Sequence, residues 1–311
     1  MSWFIPVGKV KLGRHEKFAF RYNWLKKSVD AVFDDPYIFT KDEALVVLGV
    51  GKNMVRSIRH WGLTLKILEE QHSNKNKMVR VSSFGQNLLS NNGWDPYLED
   101  VGTLWLLHWK LSSNLDRGLV WHVIFSAFYE IEFAKSQLIA FTNRYLNRIN
   151  VRTTPHMIER EVEVFLRTYV PARHSRKQKD FNEGQECPLT ELRLIRYLPM
   201  ENVYQFVIGP KTSLPTAIFG YALLDFLAKV AINRPTVGFD EIIYGHGGPG
   251  QIFKLDENST IAYLEEIAKQ APEFIKLTET AGLRQIYLSD TLRSQWTEAS
   301  NQFLKTYYEP R

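Results

Sequence analysis

Two helical patterns joined by a short glycine turn constrain the fold of this chain more than any other feature. The first pattern, KDEALVVL, ends at Gly49-Val50-Gly51, and Thr40 with Glu43 three residues later predicts a capping box at its start. The second pattern, KNMVRSIRHWGLTLKIL, spaces its apolar residues by three and four positions, as on one face of a helix. Two helices joined by so short a turn predict a helix-turn-helix.

The residues that follow predict a winged form of this motif. A lysine-bearing loop, QHSNKNK, leads to a short strand, MVRV, and farther on an aromatic-rich helix from Val101 is predicted to pack in the core. Near the C-terminus, FDEIIYG and QIFKL are predicted as short strands around a glycine loop. The predicted fold is mainly α with small β wings: an N-terminal winged helix-turn-helix domain (1–95), a central helical domain (96–171) and a C-terminal winged-helix-like α+β domain (172–311).

The net charge of +5 is distributed unevenly along the chain. Residues 236–311 contain seven Lys or Arg against eleven Asp or Glu, a balance of −4, so residues 1–235 carry +9. An excess of positive charge attracts polyanions, of which nucleic acid is the simplest example. The charge therefore favours double-stranded DNA as a partner, with a solvated basic surface as the alternative.

The second helix of the motif presents polar and cationic side chains opposite its apolar face, where a recognition helix needs donors for phosphates and base edges. A basic run farther along, PARHSRKQKDFNEGQE, could follow a DNA backbone. A winged helix used for protein docking remains the alternative. The residues predicted to contact DNA are Lys52, Asn53, Arg56, Arg59 and His60 on the helix, Arg80 on the wing, and Arg173, Arg176 and Lys177 in the basic run.

Several classes of protein are excluded or disfavoured by what the sequence lacks. Cys187 is the only cysteine, which rules out an intramolecular disulfide and a zinc site built from cysteines. No apolar run approaches the roughly 20 residues that span a bilayer, and a cytoplasmic protein is expected. No Ser/His/Asp arrangement is visible, so the sequence alone identifies no active site.

The loop YGHGGPGQIFKLDEN raises the question of a phosphate site. A nucleotide-binding loop of the Walker type needs Lys-Ser or Lys-Thr directly after its last glycine, whereas Gly250 is followed by Gln251. Asp256 is instead placed to cap the next helix. We therefore predict a turn and no nucleotide cofactor, with a DNA contact through His246 and backbone amides left open.

Six segments together resemble a bacterial family of unknown function: HEKFAFRYNWLKK, GKNMVRSIRHW, GWDPYLEDVGTLWLLHW, FLRTYVP, CPLTELRLI and PGQIFKL. They occur in the order typical of the SspB-like family, domain of unknown function 4007, of the Ssp DNA phosphorothioation system. The resemblance covers nearly the whole chain. It implies a DNA-nicking component that opens one strand for sulfur incorporation in anti-phage defence, beside the cysteine desulfurase SspA, SspC and the ATP-using SspD.

Nicking that involves no covalent intermediate uses an activated water, usually beside a metal held by carboxylates. Mg²⁺ or Mn²⁺ is therefore the expected cofactor, and His15 with Glu16, in the family-like HEKFAF segment, are the candidate catalytic residues. A capping or packing role for this pair is the alternative. Two functions stay open: a nicking endonuclease, and a non-catalytic DNA-binding adaptor or transcription regulator on the same fold.

Overall fold

The computed structural model describes residues 10–71, 78–171, 186–280 and 282–309. Over these ranges the chain is mainly helical with three small antiparallel sheets, as predicted. The helices are α1 (Tyr22–Asp34), α2 (Ala44–Leu48), α3 (Lys52–Thr64), α4 (Ser83–Leu89), α5 (Val101–Ser112), α6 (Leu119–Ala127), α7 (Lys135–Arg148), α8 (Pro155–Tyr169), α9 (Thr216–Val230), α10 (Phe239–Ile243), α11 (Pro249–Ile252), α12 (Glu257–Gln270), α13 (Asp290–Ser294) and α14 (Trp296–Tyr308). Among the helices of the described ranges, none combines the length and apolarity needed to cross a membrane.

The strands form three separate sheets. They are β1 (Leu68–Glu70), β2 (Val79–Val81), β3 (Glu132–Phe133), β4 (Ile195–Leu198), β5 (Val203–Phe206), β6 (Thr236–Gly238), β7 (Ile275–Thr280) and β8 (Leu283–Leu288). Strand β1 pairs with β2, β5 lies between β3 and β4, and β8 lies between β6 and β7. The sheets are too small to form a core by themselves, so the helices supply most of the buried surface.

The two predicted helices and the strand predicted in MVRV occur in the predicted order, although β1, the partner of that strand, lies in a run that was predicted as helix. Helix α2 ends at Gly49, whose φ of 63° lies in the left-handed region that glycine adopts without strain. Helix α3 ends at Thr64, earlier than the apolar pattern predicted, because Lys66 has a positive φ and Leu68 already pairs with Val81. The identification of this unit as a winged helix remains a prediction.

The capping box predicted before α2 is wrong. Thr40 ends a short 3-10 turn, Ile38–Thr40, and its hydroxyl donates a hydrogen bond of 2.8 Å to the Tyr37 carbonyl oxygen behind it. Helix α2 begins only at Ala44, and its N-cap residue is Glu43. The threonine therefore closes the preceding turn instead of opening the helix.

The aromatic-rich region forms the centre of the core, as predicted. Trp105 and Trp109 on α5 and Trp121 and Phe125 on α6 are buried. Burial of side chains of this size is the largest favourable contribution to folding that the helices make.

The two strands predicted around the glycine loop are wrong. FDEIIYG forms α10 and QIFKL lies in and just after α11, while the nearby strands are β6, β7 and β8. The glycines explain the difference, since a side chain at Gly245 would collide with the Glu241 carbonyl oxygen and one at Gly250 with that of Ile243. They let two short helices approach each other, and no hairpin forms there. Asp256 caps α12 as predicted, because its carboxylate accepts from the Ser259 N–H at 2.7 Å.

Buried contacts join helices of the predicted central domain to helices of the predicted C-terminal domain. His108 on α5 accepts a hydrogen bond of 2.8 Å from the Tyr169 hydroxyl on α8 and donates to the Ile252 carbonyl oxygen, 2.9 Å away on α11. Trp109 donates to the Asp225 carboxylate on α9 at 3.0 Å. The division of the chain at residues 96 and 172 remains a prediction.

Candidate nucleic-acid interface

The first turn of α3 presents an exposed cationic surface. Ile58 and Trp61 are fully buried beneath the helix, so the 3.6-residue period turns Lys52, Asn53 and Arg56 to solvent. These three residues are exposed as predicted, and the Arg56 side chain is 57% exposed. We call this surface, formed by Lys52, Asn53 and Arg56, the α3 face.

His60 does not belong to the α3 face, and the prediction that it lies there is wrong. Its side chain is only 4% exposed, and its ring lies 5.9 Å from that of His15 and 5.3 Å from that of Trp61. Burial, followed by the charges of His15 and Arg117, holds the pKa of His60 well below its usual range. The residue is neutral and cannot reach DNA.

An N-terminal segment, residues 13–18, covers the flank of α3 on which His60 lies. Ser57 donates to the His15 carbonyl oxygen at 3.0 Å, and Trp61 donates to the Phe18 carbonyl oxygen at 2.9 Å. The segment brings exposed Arg14 and Lys17 to the protein surface near α3. Sequence reasoning missed these two cations, although the charged run GRHEK was visible.

Arg59 is turned toward a carboxylate instead of toward solvent. Its guanidinium donates to Glu70 at 2.9 Å, and Lys11 and Arg117 each donate to the same carboxylate at 2.8 Å. Burial alone would raise the pKa of Glu70, but the Lys11 hydrogen bond, the Arg117 charge and the Arg59 hydrogen bond outweigh it and lower the pKa to about 2. We call these four residues the Glu70 cluster. It carries three cations around one anion and so adds positive charge beside the α3 face.

Arg80 is exposed on β2, as predicted, but it also has a partner. It lies opposite Glu69 in the hairpin, and its guanidinium nitrogen is 2.7 Å from the Glu69 carboxylate. Arg173, Arg176 and Lys177 lie outside the described residues.

The structure places His15 and Glu16 in different surroundings. His15 is buried, its Nδ1 accepts from the Lys17 N–H at 3.2 Å, and its Nε2 lies 3.3 Å from the buried carboxylate of Glu161. Glu16 is partly exposed and lies 3.9 Å from the Arg56 guanidinium. The two side chains are therefore not brought together around a common ion.

A Mg²⁺ site of carboxylate oxygens is not formed by these residues. Mg²⁺ binds carboxylates in octahedral geometry, but Glu161 is engaged by the Gly13 N–H and faces a histidine. Within the described ranges no three His, Cys, Asp or Glu residues are grouped closely enough to hold a metal ion. His15 and Glu16 therefore do not fit the metal-binding role expected of them.

The sequence and the fold are both similar to those of known proteins. The sequence profile of the DUF4007 family, described as proteins of unknown function, matches residues 12–308, and the chain belongs to this family. The chain is also similar to SspB: a crystal structure of SspB aligns with a TM-score of 0.85 and 30% sequence identity, covering 96% of this chain and 88% of that one. A crystal structure of magnesium ion-bound SspB aligns with the same TM-score and coverage at 29% identity. No curated protein matches the chain.

Proposed function

We propose that this protein is the DNA-binding component of an Ssp phosphorothioation system and that it nicks one DNA strand so that sulfur can be incorporated. The observation that carries the proposal is the similarity to SspB over 96% of the chain at 30% identity. SspA, SspC and SspD are the proposed partners, and the reaction belongs in the cytoplasm, where these partners and the DNA meet.

The α3 face supports the DNA-binding part of this proposal. Lys52 and Arg56 place two cations one helical turn apart, and Asn53 adds a side chain able to read base edges. The N-cap residue of α3 is Gly51, and no side chain of the described residues caps this helix end. Its first N–H groups therefore add donors for a phosphate to the two cations. We propose that the N-terminal end of α3 enters a groove of the duplex, in the manner of a winged helix.

A salt series tests where DNA binds. The double substitution Lys52→Ala and Arg56→Ala should weaken binding by roughly 1–2 kcal/mol, and it should reduce the slope of log K against log[salt] by about 1.8, because two phosphate contacts no longer release counterions. Lys269→Ala, at an exposed position on α12, is the control for a loss of surface charge alone. If the double variant and the control have the same slope as the wild type, DNA binds elsewhere.

A plasmid assay tests nicking. Supercoiled plasmid incubated with the protein and Mg²⁺ or Mn²⁺ should yield open circles, with and without the proposed partners. Retarded plasmid without open circles would contradict the nicking part and support the second candidate, a non-catalytic adaptor or transcription regulator. The divergence of His15 and Glu16 is the observation that favours this second candidate.

A further inference from the structure

A chain of hydrogen bonds connects three side chains that lie far apart in sequence. The Tyr145 hydroxyl is 2.7 Å from Nε2 of His246, and Nδ1 of His246 is 3.2 Å from Nε2 of His122. Nδ1 of His122 is 2.8 Å from the carbonyl oxygen of Ser112. We call this series the Tyr145 chain. It joins α7, the loop between α10 and α11, α6 and the end of α5.

The acceptor at the inner end sets the direction of every bond in the Tyr145 chain. A carbonyl oxygen only accepts, so His122 donates from Nδ1 and leaves a lone pair on Nε2. His246 must then donate from Nδ1 to that lone pair, and its own Nε2 is the acceptor. The Tyr145 hydroxyl therefore donates to His246, which is the arrangement in which a histidine can remove the phenolic proton.

The outer end of the Tyr145 chain lies in basic surroundings. Tyr145 is only partly buried, and the Arg148 guanidinium lies 4.9 Å from the centre of its ring. From Lys135 to Arg152 the sequence contains four cations and no acidic residue. A groove of about 320 Å³ nearby is lined in part by Glu130, by Arg144 and by Phe141, whose ring centre is 5.9 Å from that of Tyr145. The arginines Arg144 and Arg148 would thus attract a polyanion to the side of the molecule where Tyr145 is partly exposed.

We propose that Tyr145 is the nucleophile of the strand-opening reaction: its oxygen attacks a DNA phosphodiester while His246 takes its proton, and a phosphotyrosyl intermediate results. This inference rests on the proposed function and supplies that function with a reacting group. Arg148 neutralises the charge of the attacked phosphate. His122 is a positioning residue, since it acts only by holding His246 in the required tautomer.

The step balances without any further reactant. A bond forms between the phenolic oxygen and phosphorus, and the bond from phosphorus to a deoxyribose oxygen breaks with its electron pair on that oxygen. The deoxyribose oxygen takes a proton from solvent, and the proton received by His246 returns to solvent. The net reaction is a transesterification, which consumes neither water nor an oxidant.

The charges around His246 suit a base that works when substrate is bound. Burial, and after it the charge of Arg148, lowers the pKa of His246 to about 4, which keeps the imidazole neutral and able to accept. A phosphodiester bound to Arg148 would neutralise the Arg148 charge, so the pKa of His246 would rise and its imidazole would become a stronger base. Burial also raises the pKa of Tyr145, an effect that the Arg148 charge opposes.

Trapping of a covalent intermediate tests the proposal. Radiolabelled plasmid is incubated with the full chain and its partners, the reaction is stopped with detergent, the DNA is digested, and label retained on the protein is mapped by peptide mass spectrometry. We expect label on Tyr145, a loss of roughly 10³-fold or more in nicking and labelling for Tyr145→Phe, and a loss of about 10²–10⁴-fold for His246→Asn. Tyr287→Phe, at an exposed tyrosine on β8, should match the wild type.

The role of His122 has its own pair of variants. His122→Gln keeps an acceptor for the His246 Nδ1–H and should retain labelling within about tenfold, whereas His122→Leu removes the acceptor and should lose labelling about as fully as His246→Asn. Equal labelling in the two variants would remove His122 from the reaction.

An aryl phosphodiester separates failure of this inference from failure of the proposed function. Thymidine 5′-(4-nitrophenyl phosphate) has a good leaving group and needs no duplex contact, so nitrophenolate release reports the nucleophile alone. Release that is lost in Tyr145→Phe but not in Lys52→Ala/Arg56→Ala would support Tyr145 even if plasmid is not nicked. Nicking by Tyr145→Phe at the wild-type rate, without labelled protein, would overturn the inference and leave the proposed function standing. Failure on both plasmid and aryl ester would overturn the inference together with the nicking part of the proposed function.

Discussion

The protein contains two pairs of histidines that pack in a similar way but differ in the groups that they contact next. His15 and His60 have ring centres 5.9 Å apart, and His122 and His246 have ring centres 4.9 Å apart. The first pair ends at buried groups, Glu161 and Thr64. We call it the sealed pair.

The second pair continues to Tyr145, which is partly exposed. A buried histidine can take part in catalysis only when its hydrogen bonds lead to a group that a substrate can reach. The sealed pair should therefore act on stability, and the Tyr145 chain on reaction rate.

The largest expected effect tests the sealed pair through its packing. Trp121 is fully buried, and its ring centre lies 6.4 Å from that of His15. Trp121→Ala should lower the free energy of unfolding by about 3–5 kcal/mol, because it leaves a cavity in the aromatic core. Urea denaturation measures this loss. A loss below about 1 kcal/mol would show that the core collapses around the gap.

The next effect concerns the carboxylate of the sealed pair. Glu161 accepts from the Gly13 N–H and faces His15. Glu161→Ala should lower the free energy of unfolding by about 2–3 kcal/mol, because the Gly13 N–H loses its acceptor and the buried His15 ring loses the carboxylate it faces. The ratio of nicking rate to bound DNA should stay unchanged. A selective loss of nicking would contradict the assignment of the sealed pair to stability, and it would make His15 a catalytic candidate again.

Both pairs should make the protein less stable in acid. Burial first, then the His246 charge, lowers the pKa of His122 to about 3. Burial likewise lowers the pKa of His246 to about 4 and holds the pKa of His60 well below its usual range. In the unfolded chain the pKa of histidine is near 6.5, so the unfolded state binds more protons than the folded state below that pH. The free energy of unfolding is therefore unaffected by these histidines above about pH 6.5. It decreases as the pH falls toward the lower pKa values of the folded protein, by up to about 1.4 kcal/mol per histidine and pH unit.

A variant separates the contribution of His246 from this acid effect. Because His246 is partly exposed, we expect His246→Asn to make the pH dependence shallower by about 1 kcal/mol per unit between pH 6.5 and 4. Denaturation midpoints at several pH values measure the slope. An unchanged slope would mean that His246 is already protonated near its ordinary pKa in the folded protein.

The smallest effect compares two arginines next to the sealed pair. Arg59 belongs to the Glu70 cluster and is 25% exposed, whereas Arg56 is 57% exposed. Arg59→Ala should cost about 0.5–1 kcal/mol of stability, and Arg56→Ala should cost about 0–0.5 kcal/mol while weakening DNA binding more strongly. If Arg56→Ala instead cost more stability than Arg59→Ala, and Arg59→Ala weakened DNA binding more than Arg56→Ala, the DNA contact would lie at the Glu70 cluster.

Periodicity and caps were sufficient to predict much of the helical frame. The apolar spacing of α3 identified its buried face, and Asp256 was predicted to cap α12, where its carboxylate accepts from the Ser259 N–H at 2.7 Å. The strands predicted in FDEIIYG and QIFKL failed because a short apolar run bounded by glycines suits a buried helical turn as well as a strand.

The site was less predictable, because it depends on contacts between distant residues. His60 is hidden by residues 13–18, more than forty positions away in sequence. Tyr145 and His246 are separated by 101 positions, and no local pattern brings them together. His246 was noticed only as one residue of a glycine loop. Only the tertiary structure brings it to its hydrogen-bonding neighbours, His122 on α6 and Tyr145 on α7.

The hydrogen bonds of His108 have a consequence for how the molecule comes apart. This one imidazole ties α5 to α8 and to α11, and the ring of Phe253 packs against Trp105 and Trp109 on the same helix. If the chain were cut near residue 171, the aromatic face of α5 would be exposed to solvent on the first fragment. Phe253, which packs against that face, would be on the second fragment. Separate expression of the pieces should give aggregates, and heating the whole chain should give one cooperative calorimetric transition.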